Sequence, residues 1–220
     1  MNFYLIIPAS GTGNRFGLKT PKQFYKTKGK EIIVHTLSRF NSVKDIKSIF
    51  ISTKKEYVNK IYFLADKYKL HKVRNVVIGG KLRQDSVYNA LSSINAVKGD
   101  RIIIHDAVRP YFSLKLLKQL MNESIKFDCV IPALQITDTI KLSDSKNYVV
   151  CTIPRKNLWS VQTPQIFEYS KLVNAFKLAK MEKFIGTDEA SLMEFAGYKV
   201  RIVEGEKSNI KITTRKDLII

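Results

Sequence analysis

The amino-acid sequence predicts an α/β fold: a mostly parallel, twisted sheet with helices on both faces and one protruding β-arm. Three observations predict it. Apolar runs of strand length alternate with helical patterns nearly from end to end, as crossover-connected strands require. The runs are dense in Ile and Val with little polar alternation, the pattern of strands buried on both faces. The alternation breaks once, after Leu134, where short β-prone pieces flank a polar turn.

Taken in order, the strands are expected at Phe3–Pro8, Ser48–Ser52, Val73–Ile78, Arg101–His105 and Asp128–Ala133. Helices are expected between them at Ile32–Phe40, Glu56–Tyr68, Asp85–Val97 and Leu114–Ile125. The third is the clearest, because Val87, Ala90, Leu91 and Ile94 form one apolar stripe at i, i+3, i+4 and i+7. Residues Gln135–Leu158 read as a hairpin-like arm, with β-prone Thr139–Leu142 and Tyr148–Ile153 joined by Ser143–Asn147. Helical patterns resume at Tyr169–Lys180 and Asp188–Ala196, a strand follows at Lys199–Val203, and Lys216–Ile220 begins another apolar stretch. With no interdomain linker, repeat or low-complexity segment, we expect one domain over residues 1–220, its arm at about 135–158. Ligands of such sheets bind at the carboxyl ends of the strands, so the chemistry is sought there.

Composition narrows the partners. Lys and Arg number 38 against 19 acidic residues, a formal charge of +19 that favours anionic ligands. The lysines are dispersed along the chain and are not blocked into a tail. We therefore expect solvated lysine-rich faces plus a phosphate site, and no nucleic-acid partner. Cys129 and Cys151 match no metal or redox spacing, which fits a reducing compartment. The first strand lacks the basic lead-in of a signal peptide and no apolar run reaches spanning length. A cytoplasmic protein without a membrane partner is expected.

Unusual residues cluster after the strands. The first strand runs into Pro8-Ala9-Ser10-Gly11-Thr12-Gly13-Asn14-Arg15-Phe16-Gly17, then Pro21-Lys22-Gln23. Glycines after a strand let the backbone approach a ligand and turn successive N–H groups toward an anion. A dinucleotide fingerprint would need glycine at Phe16, and a Walker A loop would need Gly-Lys-Ser/Thr. Neither is present. What remains is either a different phosphate cradle, served by Arg15 and Lys22, or a glycine-rich turn beside two solvated cations. Gly79-Gly80 precedes a helix, and its amides with Ser86 either read a base edge or form an ordinary capped turn. His105-Asp106-Ala107-Val108-Arg109-Pro110 sets an Asp where a strand leaves the sheet, suited to a divalent metal or a ribose hydroxyl. His105 itself reads as a packed, hydrogen-bonded residue; His35 and His71 have no metal-ligand spacing.

Nine strings in order resemble one family, the cytidylyltransferases that make 4-diphosphocytidyl-2-C-methyl-D-erythritol in the non-mevalonate isoprenoid pathway. They are Pro8–Arg15, Pro21–Phe24, Gly79–Val87 with Arg83 and Asp85, His105–Pro110, Asp138–Lys141, Pro154–Trp159, Gln162–Gln165, Thr187–Ser191 and Asn209–Thr213. The resemblance implies a Rossmann-like nucleotidyltransferase fold, CTP and a sugar-alcohol phosphate as substrates, Mg²⁺ as cofactor, and a homodimer joined through the arm. It implies that Ala9, Ser10 and Gly11 wrap the triphosphate and that Arg15 and Lys22 stabilise the transition state. Gly79, Gly80 and Ser86 would hold cytosine, and Asp106 with Ala107 would lie by the ribose and a mainly phosphate-held metal. Arg109, Thr163, Thr187 and Lys211 would form the acceptor pocket, completed by Thr139 and Arg155 from a partner's arm. Two residues depart from the pattern: Lys81 replaces a frequent acid and Ser10 a frequent alanine.

The residue types suit that reaction. A phosphomonoester oxygen is already anionic and needs no strong base, so joining it to CTP is a problem of positioning and charge neutralisation. The nearest rival is the sister enzyme that charges ribitol 5-phosphate, which shares the glycine loop and the His105–Pro110 string. Ile153–Trp159 and Thr187–Ser191 look more like the methylerythritol enzyme. Two more distant rivals are a basic nucleic-acid-binding protein, which the dispersed lysines disfavour, and a catalytically dead homologue, which Arg15, Lys22, Arg155 and Lys211 disfavour.

Overall fold

Alternate residues of the first strand point into two different helical layers, and this alternation organises the molecule. The computed structural model describes residues 1–11 and 20–218. In chain order they form β1 (Phe3–Pro8), a small hairpin of β2 (Lys26–Thr27) and β3 (Lys30–Glu31), α1 (Ile32–Asn41), β4 (Ile46–Thr53), α2 (Val58–Lys67) and β5 (Val73–Ile78). There follow α3 (Arg83–Leu91), β6 (Arg101–Ile104), α4 (Leu114–Lys126), β7 (Cys129–Gln135), β8 (Ile140–Ser143) and β9 (Val149–Ile153). The chain continues through β10 (Trp159–Val161), β11 (Gln165–Glu168), α5 (Tyr169–Met181), α6 (Glu189–Phe195) and β12 (Arg201–Glu204).

The main sheet has the order β10-β7-β11-β6-β1-β4-β5, with β12 also pairing β7. Pairings β1–β4, β1–β6, β4–β5 and β7–β12 are parallel, whereas β11 and β10 run against their neighbours. Phe3, Leu5 and Ile7 of β1 pack with the apolar faces of α1, α2 and α4. Tyr4 and Ile6 face the other way, toward α3, α5 and α6. This is the two-sided burial that the Ile/Val-rich runs imply. Helix starts are held by local chemistry: the Ser113 hydroxyl accepts from the Leu116 N–H (2.9 Å), and the Asp188 carboxylate accepts from the Ser191 N–H (2.9 Å).

The expected α/β layering and most elements match, and three differences have physical causes. The third helix spans Arg83–Leu91 and not Asp85–Val97. It ends in turns at Ser92 and Ser93, the Ser93 hydroxyl donating to the Ala90 carbonyl, yet Ile94 stays buried beyond it. The strand β11 is absent from the sequence reading because only Ile166 and Phe167 are apolar; all four of its residues are nevertheless buried. At its end Glu168 accepts from the Gly99 N–H (2.7 Å) and the Lys171 N–H (2.8 Å), capping α5. The hairpin β2–β3 and the three-residue β10, neither of them predicted, are likewise too short to register as apolar runs.

The arm forms its own two-stranded antiparallel sheet, β8 with β9, apart from the main sheet. Its turn is held by Asp144, whose carboxylate accepts from the Lys146 and Tyr148 N–H groups, both at 2.9 Å. Leu142, Tyr148, Val149 and Val150 are exposed on it. Among the described residues, no helix is long and apolar enough to cross a membrane.

Beneath the carboxyl end of β6, Phe40 stacks on Phe112 with ring centroids 4.5 Å apart, and both pack edge-on against the His105 ring. Phe40 is fully buried. Phe40→Ala is expected to lower unfolding free energy by about 3–5 kcal/mol, read by urea denaturation with an unchanged m-value. A loss below about 1 kcal/mol would show that this aromatic stack does not anchor the strand end.

Candidate active site

A cavity of about 450 Å³ opens where β1, β5 and β6 leave the sheet at their carboxyl ends. Its floor comes from Pro8, Ala9, Ser10 and Gly11 after β1, one wall from Gly80 to Arg83 and Ser86, and the other from Asp106, Ala107, Val108 and Lys211. Lys22 faces this space from beside Gln23. The backbone at Ala9 is fixed on both sides. Its N–H donates to the Ser52 carbonyl (2.7 Å), and its carbonyl accepts from the Gln23 amide (2.7 Å) and the Thr53 hydroxyl (3.3 Å). The Gln23 amide also donates to the Gly11 carbonyl (3.2 Å). Arg15 lies outside the described residues, as does the rest of the loop from Thr12 to Lys19.

The base of the Gly79–Gly80 turn explains its glycines. A Cβ at Gly79 would lie 2.0 Å from Ser10 Oγ and 2.7 Å from Ser86 Oγ, and one at Gly80 would lie 2.2 Å from Asp85 Cβ. A side chain at either position would displace Ser10, Ser86 or Asp85. Ser86, buried, accepts from the Gly80 N–H (3.1 Å) and lies 3.3 Å from the Ser10 hydroxyl. The departure at Ser10 thus supplies a hydroxyl that ties the first loop to the second. Lys81, the other departure, is exposed at the cavity rim.

Asp106 is the electrostatic centre. Its carboxylate receives Lys211 Nζ at 3.0 Å and Arg109 Nε at 3.2 Å, with Arg83 Nε at 4.0 Å. Burial alone would raise this carboxyl, but Lys211, Arg83 and Arg109 together hold it well below the usual carboxylate range. Arg109 is itself held by the Asn209 carbonyl (2.7 Å). Lys22 Nζ donates to the Ile212 carbonyl (2.9 Å), so Lys22 and Lys211 meet the same C-terminal segment. Among the described residues lining the cavity Asp106 is the only acid, and no cluster of three His, Cys, Asp or Glu side chains is placed to hold a metal.

Thr163 stands behind this centre. Its hydroxyl accepts from the Asp106 N–H (3.1 Å) and donates to His105 Nδ1 (3.0 Å), while Nε2–H of His105 donates to the Arg109 carbonyl (3.0 Å). This assignment of the neutral tautomer follows from its two partners. Asn209 joins in, its amide donating to the Thr163 carbonyl (2.8 Å). Thr163 occupies an interruption between β10 and β11: β10 pairs Val161 with Ala133, and β11 pairs Ile166 with Val130, a slip of register along β7.

The structure therefore brings Ala9, Ser10, Gly11, Lys22, Gly80, Ser86, Asp106, Ala107 and Lys211 around one cavity, with Gly79 directly beneath. Arg109 and Thr163 back Asp106. Thr187 is exposed between Gly186 and the start of α6. Thr139 and Arg155 sit exposed on the arm, where an Arg155 guanidinium nitrogen donates to the Thr137 carbonyl. The sequence reading gave no role to Arg83, which reaches the cavity and donates from Nη1 to both oxygens of Glu189 (2.7 and 2.8 Å). One signal was available: an arginine in the first turn of a helix opposes the helix dipole and needs a local acid.

His105 carries a pH consequence. Complete burial pushes its imidazole down to about 4, only partly offset by its bond to the Arg109 carbonyl and the Asp106 charge. The unfolded chain takes up this proton near pH 6.5, the native chain only near 4. Between those values the unfolded state binds more protons, so this contribution to stability is lost as pH falls. We expect a decline on the order of 3 kcal/mol from this group across that window, read by denaturation at stepped pH. An NMR titration of the His105 ring showing protonation near pH 6.5 would refute it.

Comparison with known proteins agrees with this geometry. The sequence profile of 2-C-methyl-D-erythritol 4-phosphate cytidylyltransferase matches residues 3–220. A Bacillus mycoides protein of that name is 41% identical over 220 residues, covering 99% of this chain and 95% of the relative. The bifunctional enzyme IspD/IspF of Pelagibacter ubique is also 41% identical, but the chain spans only 56% of its length. The crystal structure of the Francisella tularensis 2-C-methyl-D-erythritol 4-phosphate cytidylyltransferase superposes with a TM-score of 0.86 at 35% identity, covering 99% of this chain and 97% of that one. The Rossmann-like nucleotidyltransferase layering, the cavity at the strand ends and these matches have one common reading: the chain belongs to the 2-C-methyl-D-erythritol 4-phosphate cytidylyltransferase family.

Proposed function

We propose that this chain transfers CMP from CTP to 2-C-methyl-D-erythritol 4-phosphate, giving 4-diphosphocytidyl-2-C-methyl-D-erythritol and pyrophosphate for isoprenoid precursor synthesis. The observation that carries the reading is the cavity itself. It sets one ionised carboxylate, Asp106, among Lys211, Arg109 and Arg83, with Lys22 nearby and backbone glycines opposite. Such a site accepts a polar ring on its glycine side and phosphates on its cationic side.

In this reading Ala9, Ser10 and Gly11 face the triphosphate, and the Gly79–Gly80 amides with Ser86 hold the cytosine edge. Asp106 and Ala107 lie at the ribose. The acceptor's phosphate oxygen attacks the α-phosphorus in line, a new P–O bond forms, and the bond to the β-phosphate oxygen breaks to release pyrophosphate. Lys22 and Arg15 meet the charge that grows on the α-phosphate and the departing oxygens. Arg109, Thr163, Thr187 and Lys211 serve the acceptor, Lys211 as a point charge on its phosphate.

Mg²⁺ fits here as a substrate-borne ion. Asp106 would supply one ionised oxygen ligand, as small hard cations are commonly held by one or two carboxylates plus substrate phosphates. When bound, the ion neutralises phosphate oxygens during displacement. We further take the enzyme to be a homodimer in which the arm serves the partner's cavity, bringing Thr139 and Arg155 to its acceptor. The arm's exposed Leu142, Tyr148, Val149 and Val150 support that assignment, since apolar side chains gathered on an exposed hairpin mark an interaction surface. The free thiols Cys129 and Cys151 agree with a reducing, cytoplasmic setting.

Pyrophosphate release with CTP and Mg²⁺ should be fast with 2-C-methyl-D-erythritol 4-phosphate and at background with ribitol 5-phosphate. Equal silence with both acceptors would defeat the proposal, and preference for ribitol 5-phosphate would reassign the substrate. Lys22→Ala and Arg15→Ala are each expected to cut kcat by on the order of 100- to 1,000-fold. Arg155→Ala should chiefly raise the acceptor KM. Steady-state kinetics in both substrates separates the two effects, and near-normal turnover in both loop variants would remove the mechanism.

A further inference from the structure

We propose that the first turn of α3 is a clamp setting the segment Phe184–Glu189 in register with the Gly79–Gly80 turn, with Arg83 and Gln84 as its positioning residues. The proposal rests on the cytidylyltransferase reading, in which these two regions serve the nucleotide and the acceptor.

Two consecutive side chains grip that segment at both ends. The Gln84 amide donates to the Phe184 carbonyl (3.2 Å) and accepts from the Gly186 N–H (3.0 Å), the pair of bonds a neighbouring strand would make. Arg83 Nη1 donates to both carboxylate oxygens of Glu189. Thr187 lies between the grips. The path of the segment is narrow, since a Cβ at Gly186 would fall 2.4 Å from Ser191 Oγ and 2.9 Å from Leu192. Gln165 holds the same stretch from below, its amide donating to Asp188 Oδ2 (2.8 Å).

The other end of the turn belongs to the nucleotide side. The Leu82 N–H donates to Asp85 Oδ2 (3.0 Å), and Ser86, one helical turn on, accepts from the Gly80 N–H. Glu189 is 1% exposed and absent from the cavity wall, so it acts on a substrate only through Arg83. Gln84 is likewise absent from that wall. Arg83 also faces Asp106, which gives the clamp a contact with the electrostatic centre. A nucleotide seated on Gly79, Gly80 and Ser86 therefore stiffens the turn that holds Thr187.

Hydrogen exchange of the peptide carrying residues 184–189, with and without CTP, tests this. In the parent enzyme CTP should slow exchange there at least fivefold. Gln84→Ala should abolish that protection and raise the acceptor KM about tenfold, while CTP affinity by calorimetry and CTP KM stay within threefold. The paired apolar variant Arg83→Met/Glu189→Leu keeps the packing volume and removes the Arg83–Glu189 ion pair whole, leaving Asp106 to Lys211 and Arg109. It should retain the parent Tm yet lose the CTP-dependent protection. A parent that binds CTP and turns over without protecting the segment overturns the clamp, as does a Gln84→Ala enzyme whose acceptor KM stays within twofold. If the paired variant does not fold, Gln84→Ala decides alone. A parent that fails to bind CTP overturns the underlying reading, and the clamp with it.

Discussion

Burying a carboxylate at the end of a central strand obliges the surrounding chain to supply cations, and Asp106 is where this protein accepts that obligation. A charge removed from water is tolerated only when paired and hydrogen-bonded. Asp106 is answered by Arg109 three residues on, by Arg83 from α3 and by Lys211 from the C-terminal segment. Three distant stretches of sequence thus converge because one acid must stay ionised. The cations outnumber the acid, so the cavity remains positive after its own carboxylate is satisfied.

The strand behind Asp106 is tied to the same centre. Continuing the β11–β6 register, in which Gln165 lies opposite Ile104, carries Thr163 level with Asp106 at the end of β6. There its hydroxyl meets the Asp106 N–H and the His105 ring together, beside the slip of register between β10 and β11. Asn209 and Gln162 then stitch the C-terminal segment to this detour: the Gln162 amide donates to the Glu206 carbonyl (2.9 Å) and the Asn209 amide to Thr163. That segment also carries Lys211 and receives Lys22. Sheet irregularity, buried histidine and cationic wall are therefore one connected arrangement, braced from below by Phe40 and Phe112.

Much of this was legible in the sequence because burial writes itself as apolar pattern. β1 and β5 begin and end where the Ile/Val runs do, and α1 and α4 extend one residue beyond the predicted stripes. The glycines at 79 and 80 could be singled out as a pair after a strand, and a Cβ at either would crowd Ser10, Ser86 or Asp85. β11 could not be read, because a four-residue strand whose outer residues are Gln and Glu has no apolar signature. Its burial is a tertiary fact, set by flanking β6 and β7. Glu189 and Gln84 were hidden for a related reason. Their partners lie about a hundred residues away, and a charged or amide side chain near a helix start looks solvated until its partner is in view.

The net charge of +19 and the cations at Asp106 do different physical work. Surface lysines act at long range, where mobile ions screen them beyond about 8 Å at physiological ionic strength. They raise the encounter rate of any polyanion and cannot tell one from another. Discrimination needs charges whose positions are fixed to a fraction of an ångström, and fixed charges need partners of their own. Lys211 has Asp106 and Arg109 has both Asp106 and the Asn209 carbonyl, while Arg83 has Glu189. An acid beside each cation weakens its raw attraction for phosphate but denies it the freedom to swing toward the wrong ligand. For a reaction whose difficulty lies in bringing two anions into line, orientation is worth more than attraction, and a basic cavity built around an acid follows from that preference.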